Sequence, residues 1–283
     1  MELKKSKRIL VLGESDVGKT NYGVQLLLRL GGDNGALQLV GAPKNVNAFK
    51  SGIADLSCGK PAQHTSSGVY EESEWVVADQ NGNRAELCWP DYAGEQLTAI
   101  SGTRVVSREW ATNLQNSDEW MLFLRLQTIS GQEDILSRPI LLVDETGPKS
   151  SPSQSHDVKL VELLQILLYA RGVGVAAPLA VPRMSVVLTC WDELSRPVQE
   201  LTPPEALHHH LPLLTSFLSA NWQSPALSVR GLSALGKPLN KDNPDQEYVD
   251  LGPEAFGFVV LPNGDLTNDL TEPVAALVRA DES

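Results

Sequence analysis

The chain has 283 residues, with 35 Asp and Glu against 23 Lys and Arg, for a formal net charge of -12. That length suits one large α/β domain or two small ones, either of which buries a full core. The acidic balance excludes a nucleic-acid footprint, which needs a basic face. Cys58, Cys88 and Cys190 are widely spaced with no C-x-x-C pair and read as reduced thiols. No run of about eighteen apolar residues occurs, and Met1-Glu2-Leu3-Lys4 starts no signal peptide. The expectation is a cytoplasmic protein without membrane or nucleic-acid partners.

In chain order, Lys7-Arg8-Ile9-Leu10-Val11-Leu12 is an apolar run suited to a buried strand. Gly13-Glu14-Ser15-Asp16-Val17-Gly18-Lys19-Thr20 follows, and residues 24–30 then show helical spacing up to the stop at Gly31-Gly32. Strand, glycine loop and helix give the pattern G-x-x-x-x-G-K-[ST] its physical meaning. The glycines let backbone N–H groups curl around a phosphate, and the helix N-terminus adds partial positive charge. Gly13, Ser15, Asp16, Val17 and Gly18 form the candidate cradle, with Asn21 just beyond. Lys19 is expected to reach the β- and γ-phosphates, and the Thr20 hydroxyl to ligate Mg²⁺. The chain reads as a nucleoside-triphosphate binder.

Residues 31–68 are polar and irregular, with a short helix expected near 46–56. Glu74-Trp75-Val76-Val77-Ala78 and Ala85-Glu86-Leu87-Cys88-Trp89 flank Asn81-Gly82-Asn83 and predict a hairpin. Its second arm runs into Asp91-Tyr92-Ala93-Gly94-Glu95-Gln96. A helical region to residue 116 and a central strand over 120–126 follow. Residues 128–155 are rich in Ser, Pro and Gly and read as a long loop or insertion. An amphipathic helix is predicted over 158–168, a strand over 184–189 leading into Cys190-Trp191-Asp192, a helix over 203–221, a strand over 226–231 and a closing helix over 271–279. Strands alternating with helices imply a mostly parallel central sheet covered on both faces. The expected fold is a single α/β domain over 1–283, with insertions near 31–64 and 128–155.

Two segments compete to complete the magnesium site. In Asp91-Tyr92-Ala93-Gly94, Asp91 would act through a water while the Gly94 N–H senses the γ-phosphate. In Ile140-Leu141-Leu142-Val143-Asp144-Glu145, Glu145 would polarise the attacking water of an ATPase, although no arginine-finger or sensor pattern accompanies it. His208-His209-His210 are consecutive helical residues that point in different directions and do not converge on one ion. Cys58 and His64 read as unrelated loop residues, and Arg104 and Arg108 as surface salt-bridge partners rather than arginine fingers.

The order of these motifs resembles the Ras-like (TRAFAC-class) P-loop GTPases. After the glycine loop come a polar loop with Thr65, the hairpin, Asp91-x-x-Gly94, then Thr189-Cys190-Trp191-Asp192 after a strand. Ser233-Ala234-Leu235 stands just past the next strand. The resemblance implies a Ras-like domain that binds GTP or GDP with Mg²⁺ held by Thr20, Thr65 and Asp91. It also implies that Asp192 reads the guanine base, with Thr189, Cys190, Trp191, Ser233, Ala234 and Leu235 around it. Two departures stand out. The family's base-packing lysine is Cys190, so stacking is weakened or supplied by a neighbour such as Trp191. The family's catalytic glutamine is Glu95, with Gln96 one residue later. Lys19, Glu95 and Gln96 are therefore the residues expected at the chemistry, and unaided hydrolysis is expected to be slow.

The loop 31–64, Ala93-Gly94-Glu95-Gln96, Trp120-Met121-Leu122-Phe123-Leu124-Arg125 and Thr189-Cys190-Trp191-Asp192-Glu193-Leu194 are similar to the bacterial double-GTPase families. That narrower resemblance implies work with other protein subunits in multi-protein GTPase systems, including defence against phage. The alternatives are the ATPase using Asp144 and Glu145, and a nucleotide-binding interaction module with little hydrolysis.

Overall fold

In the computed structural model, which describes residues 6–32, 35–62, 72–90, 93–129, 155–173 and 177–279, the chain alternates strand and helix through its central part. The order begins β1 (Lys7–Leu12), α1 (Lys19–Leu30), β2 (Leu37–Leu39), α2 (Asn47–Ser57), β3 (Glu72–Asp79), β4 (Arg84–Pro90), α3 (Ala93–Thr103) and α4 (Arg108–Asn116). It continues through β5 (Glu119–Leu124), α5 (His156–Arg171), β6 (Arg183–Thr189), α6 (Arg196–Gln199), α7 (Pro203–His210), α8 (Pro212–Asn221) and β7 (Leu227–Ser233). It closes with α9 (Gln246–Leu251), β8 (Phe258–Val260), β9 (Leu266–Thr267) and α10 (Glu272–Arg279). Among the described residues these strands form one sheet in the order β2-β3-β4-β1-β5-β6-β7-β8-β9. The five strands β4-β1-β5-β6-β7 run parallel. The hairpin β3–β4 and the outer pairs β2–β3, β7–β8 and β8–β9 are antiparallel.

A parallel centre must be buried on both faces, and the strands read accordingly: all six residues of β5 are buried. Alternation along β1 sends Leu10 and Leu12 to one face and Ile9 and Val11 to the other. On the first face α5 buries Leu160, Leu163, Leu164, Leu167 and Leu168 against the sheet. Full burial of each such leucine stabilises the fold by about 1.5–3 kcal/mol. On the second face α1 lies over an aromatic cluster. Phe49 meets Trp75 and Trp89 edge-on at 5.0 and 5.5 Å between ring centroids, and Tyr22 meets Phe123 at 5.5 Å.

Several expectations are refined. The helix expected over 203–221 is two helices that meet at Leu211. Pro212 opens α8, where its missing N–H costs nothing, and buried Asp157 accepts from the backbone N–H groups of Leu213 at 2.9 Å and Leu214 at 2.7 Å. The strand expected over 120–126 ends at Leu124 and turns through a 3-10 segment at Leu126–Thr128. Residues 31–62 carry the edge strand β2 as well as the anticipated helix α2. Thr65, His64, Asp91, Asp144, Glu145 and most of the 128–155 insertion lie outside the described residues.

Candidate functional site

The site lies where parallel strands end at their carboxyl edges, the usual crevice of an open α/β sheet. Between β1 and α1 the loop bends sharply. Gly13 has φ +150°, and a Cβ there would stand 2.9 Å from the Phe123 carbonyl oxygen, so only glycine lets the loop pass so close to β5. Gly18 adopts φ +82° and caps α1, with its carbonyl accepting from Tyr22 N–H at 3.1 Å. The Lys19 ammonium donates to the carbonyl oxygens of Gly13, at 2.8 Å, and Glu14. Burial pushes Lys19 down to about 8, while the nearby Asp16 and Glu14 work in the opposite direction. Val17 is buried beneath the loop. Asn21 accepts from the Ala62 N–H at 2.9 Å and ties the loop after α2 to the start of α1.

A cleft of about 280 Å³ opens over this loop. Ser15, Asp16, Gly18, Lys19, Thr20 and Asn21 line one end, and Gly94 and Glu95 at the start of α3 join them. A Cβ on Gly94 would lie 2.5 Å from the Ser15 backbone nitrogen, so α3 begins in direct contact with the glycine loop. Glu14 reaches the start of α5, its carboxylate 3.4 Å from the His156 ring nitrogen Nε2.

The other end of the cleft is built by the turn after β6 and the loop after β7. Thr189 is buried beneath the glycine loop and donates to the Leu124 carbonyl at 3.1 Å. Cys190 takes a left-handed conformation, φ +51°, and starts the 3-10 turn Trp191–Glu193. A narrow recess is lined by Thr189, Cys190, Asp192, Ala234 and Leu235. Burial pushes the Asp192 carboxyl above its usual range, and a hydrogen bond from the Ser233 hydroxyl acts against that shift. The same hydroxyl accepts from Gly236 N–H at 2.9 Å, which fixes its direction. The loop's donors fit an anion: an ammonium, backbone N–H groups at a helix start and the Thr20 hydroxyl.

Two expected residues face elsewhere. Trp191 is 3% exposed, with its ring so close to β7 that a Cβ on Gly231 would lie 2.5 Å from it. It belongs to the core and does not reach the cleft. Gln96 turns its side-chain oxygen to the Trp110 indole N–H, so Glu95, not Gln96, lines the cleft. Arg104 pairs with Glu162 across α3 and α5. Among the described residues no three His, Cys, Asp or Glu side chains gather as a metal site, and His210 Nδ1 lies 3.0 Å from the Ala206 carbonyl.

Sequence reasoning overlooked Arg125. It leaves the end of β5, lines the cleft beside Asp16, Cys190 and Glu193, and bonds to the Glu193 carboxylate. The available signal was a lone cation closing an apolar central strand, at the edge where such sheets bind ligands.

The model of the Double-GTPase 1 family matches residues 10–277 of the chain. No curated protein matches its sequence. Among solved structures the chain is similar to the bacterial selenocysteine-specific elongation factor EF-Sec, at TM-score 0.37 and 14% identity over 82% of this chain and 26% of that one. It is similar to the Methanosarcina barkeri Roco2 RocCORdC protein bound to GDP, at TM-score 0.33 and 13% identity over 82% and 44% of the two chains. A third is a probable GTP-binding protein, engB, at TM-score 0.33 and 15% identity over 87% and 99%. The chain thus spans about a quarter of the elongation factor and under half of the Roco protein.

Proposed function

We propose that this chain, which belongs to the Double-GTPase 1 family, is a GTP-hydrolysing, guanine-selective switch, with residues 13–20 on the phosphates and Asp192 on the base. The observation that carries this reading is the placement of Asp192. Its carboxylate is held by Ser233 in a narrow recess that shares Gly18, Asn21, Cys190, Glu193 and Leu235 with the cleft over the glycine loop. One carboxylate accepts from both the guanine N1–H and the exocyclic amine, and each charge-assisted bond contributes about 1.5–3 kcal/mol. Adenine offers no such pair of donors.

On this reading Lys19 holds the β- and γ-phosphates, and Thr20, with Asp91 and Thr65, holds Mg²⁺. The ion neutralises charge across the phosphates when bound. Glu95 lines the cleft, where a γ-phosphate would repel its carboxylate, and Gln96 is engaged by Trp110. Neither is placed to orient a water, so the protein alone hydrolyses GTP slowly and a partner supplies the remaining acceleration. The contact between Gly94 and Ser15 supports a switch, because the start of α3 follows any shift of the loop.

The biological reading is a cytoplasmic component of a bacterial multi-protein GTPase system, including defence against phage, acting with other subunits of that system. No helix among the described residues is long and apolar enough to cross a membrane. The ATPase alternative through Asp144 and Glu145 is disfavoured by the family match.

Asp192→Asn tests the reading. An amide donates where the carboxylate accepted, so the variant should lose GTP and gain xanthosine triphosphate, a swing of about 2–4 kcal/mol in relative affinity. Unchanged nucleotide preference in equilibrium binding would remove Asp192 from the base site.

A further inference from the structure

We propose that Arg125 lays its guanidinium against the purine ring and supplies the base-packing cation that Cys190 lacks. The inference rests on the reading of Asp192 as the base-recognising residue. Cys190 has a short side chain, and its left-handed backbone places it at the corner of the cleft. The adjacent strand β5 pairs with β6 in register, Leu124 opposite Leu188, so Arg125 emerges at the same edge one step beyond. It lines the cleft together with Asp16, Gly18, Cys190 and Glu193.

Its geometry suits a platform. The side chain is 29% exposed, and its Nη2 end is tied to Glu193, the residue after Asp192. Arg125 Nε is buried and has no hydrogen-bond partner among the described residues. Gln127, two residues on, donates to the Cys190 carbonyl and links the two turns. A guanidinium fixed at one end presents a planar, weakly hydrated face, which stacks on a ring better than a lysine ammonium does. Leu235, Pro238 and Leu239 also line the cleft and offer an apolar surface for the remainder of the base.

The experiment compares two ligands, GTP and ribose 5′-triphosphate, on purified full-length protein with Mg²⁺. Arg125→Ala should weaken GTP about tenfold, the range of a partly desolvated cation–π contact, and change ribose triphosphate less than twofold. Cys190→Lys in the Arg125→Ala background should recover most of the GTP affinity. Arg125→Met keeps the stem without the plane or charge and should fall between; it is read the same way if Arg125→Ala does not fold. Equal losses for both ligands would place Arg125 on phosphate and overturn the proposal, as would undiminished GTP affinity. If wild-type protein instead binds ATP as well as GTP, the Asp192 reading fails on that measurement alone, separately from the Arg125 comparison.

Discussion

An ammonium buried against the carbonyls of Gly13 and Glu14 loses water without gaining full countercharge, which pushes Lys19 down to about 8 from the 10.5 of a free lysine. A bound polyphosphate favours the charged form, so the pKa rises on binding and a proton is taken up. At pH 8 the ligand-free lysine is half protonated, so about half a proton should accompany each nucleotide bound. Affinity should fall by up to tenfold per unit as pH rises above 8. Calorimetric titration with GDP in buffers of different ionisation enthalpy measures this uptake, and zero uptake at pH 8 would remove Lys19 from the phosphates. At this scale the glycine loop was legible because its function is encoded in local spacing and backbone conformation. The directions of Gln96 and Trp191 were not, because Trp110 and Gly231, remote in sequence, decide where those side chains turn.

The elements that carry the site were legible for a similar reason. β1, β5, β6 and β7 are buried runs, and α1 and α5 repeat apolar residues at helical spacing. β2, β8 and β9, of two or three residues each, and the six-residue α9 are too short to show a period; pairing with neighbours creates them. The break at Leu211–Pro212 was marked by its proline, but its second determinant lies 55 residues upstream (212 minus 157). Asp157 satisfies two N–H groups that α8 leaves open, and its removal strands that of Leu214 in a buried setting. Asp157→Ala should therefore destabilise the protein by about 1–3 kcal/mol. The melting temperature should drop by several degrees, with nucleotide affinity retained in the folded fraction. A scanning-calorimetry melt that matches wild type would contradict the capping role.

Across the whole molecule, five parallel strands end on one edge and bring together residues as distant as Ser15 and Leu239. Lys19 and the glycine loop line that cleft, while Asp192, held by Ser233, lines the recess that adjoins it through Gly18, Asn21 and Cys190. The topology was readable from alternating elements, whereas the convergence of Arg125 and Cys190 required the register between β5 and β6. Guanine selectivity is the claim on which the switch reading stands, because an aspartate that reads no base leaves only a phosphate cradle. Calorimetric titration of the wild-type protein with non-hydrolysable GTP and ATP analogues in Mg²⁺ tests it most directly. The account predicts GTP binding at least about thirtyfold tighter, since losing two charge-assisted bonds costs more than about 2 kcal/mol. ATP binding as tightly as GTP would contradict it.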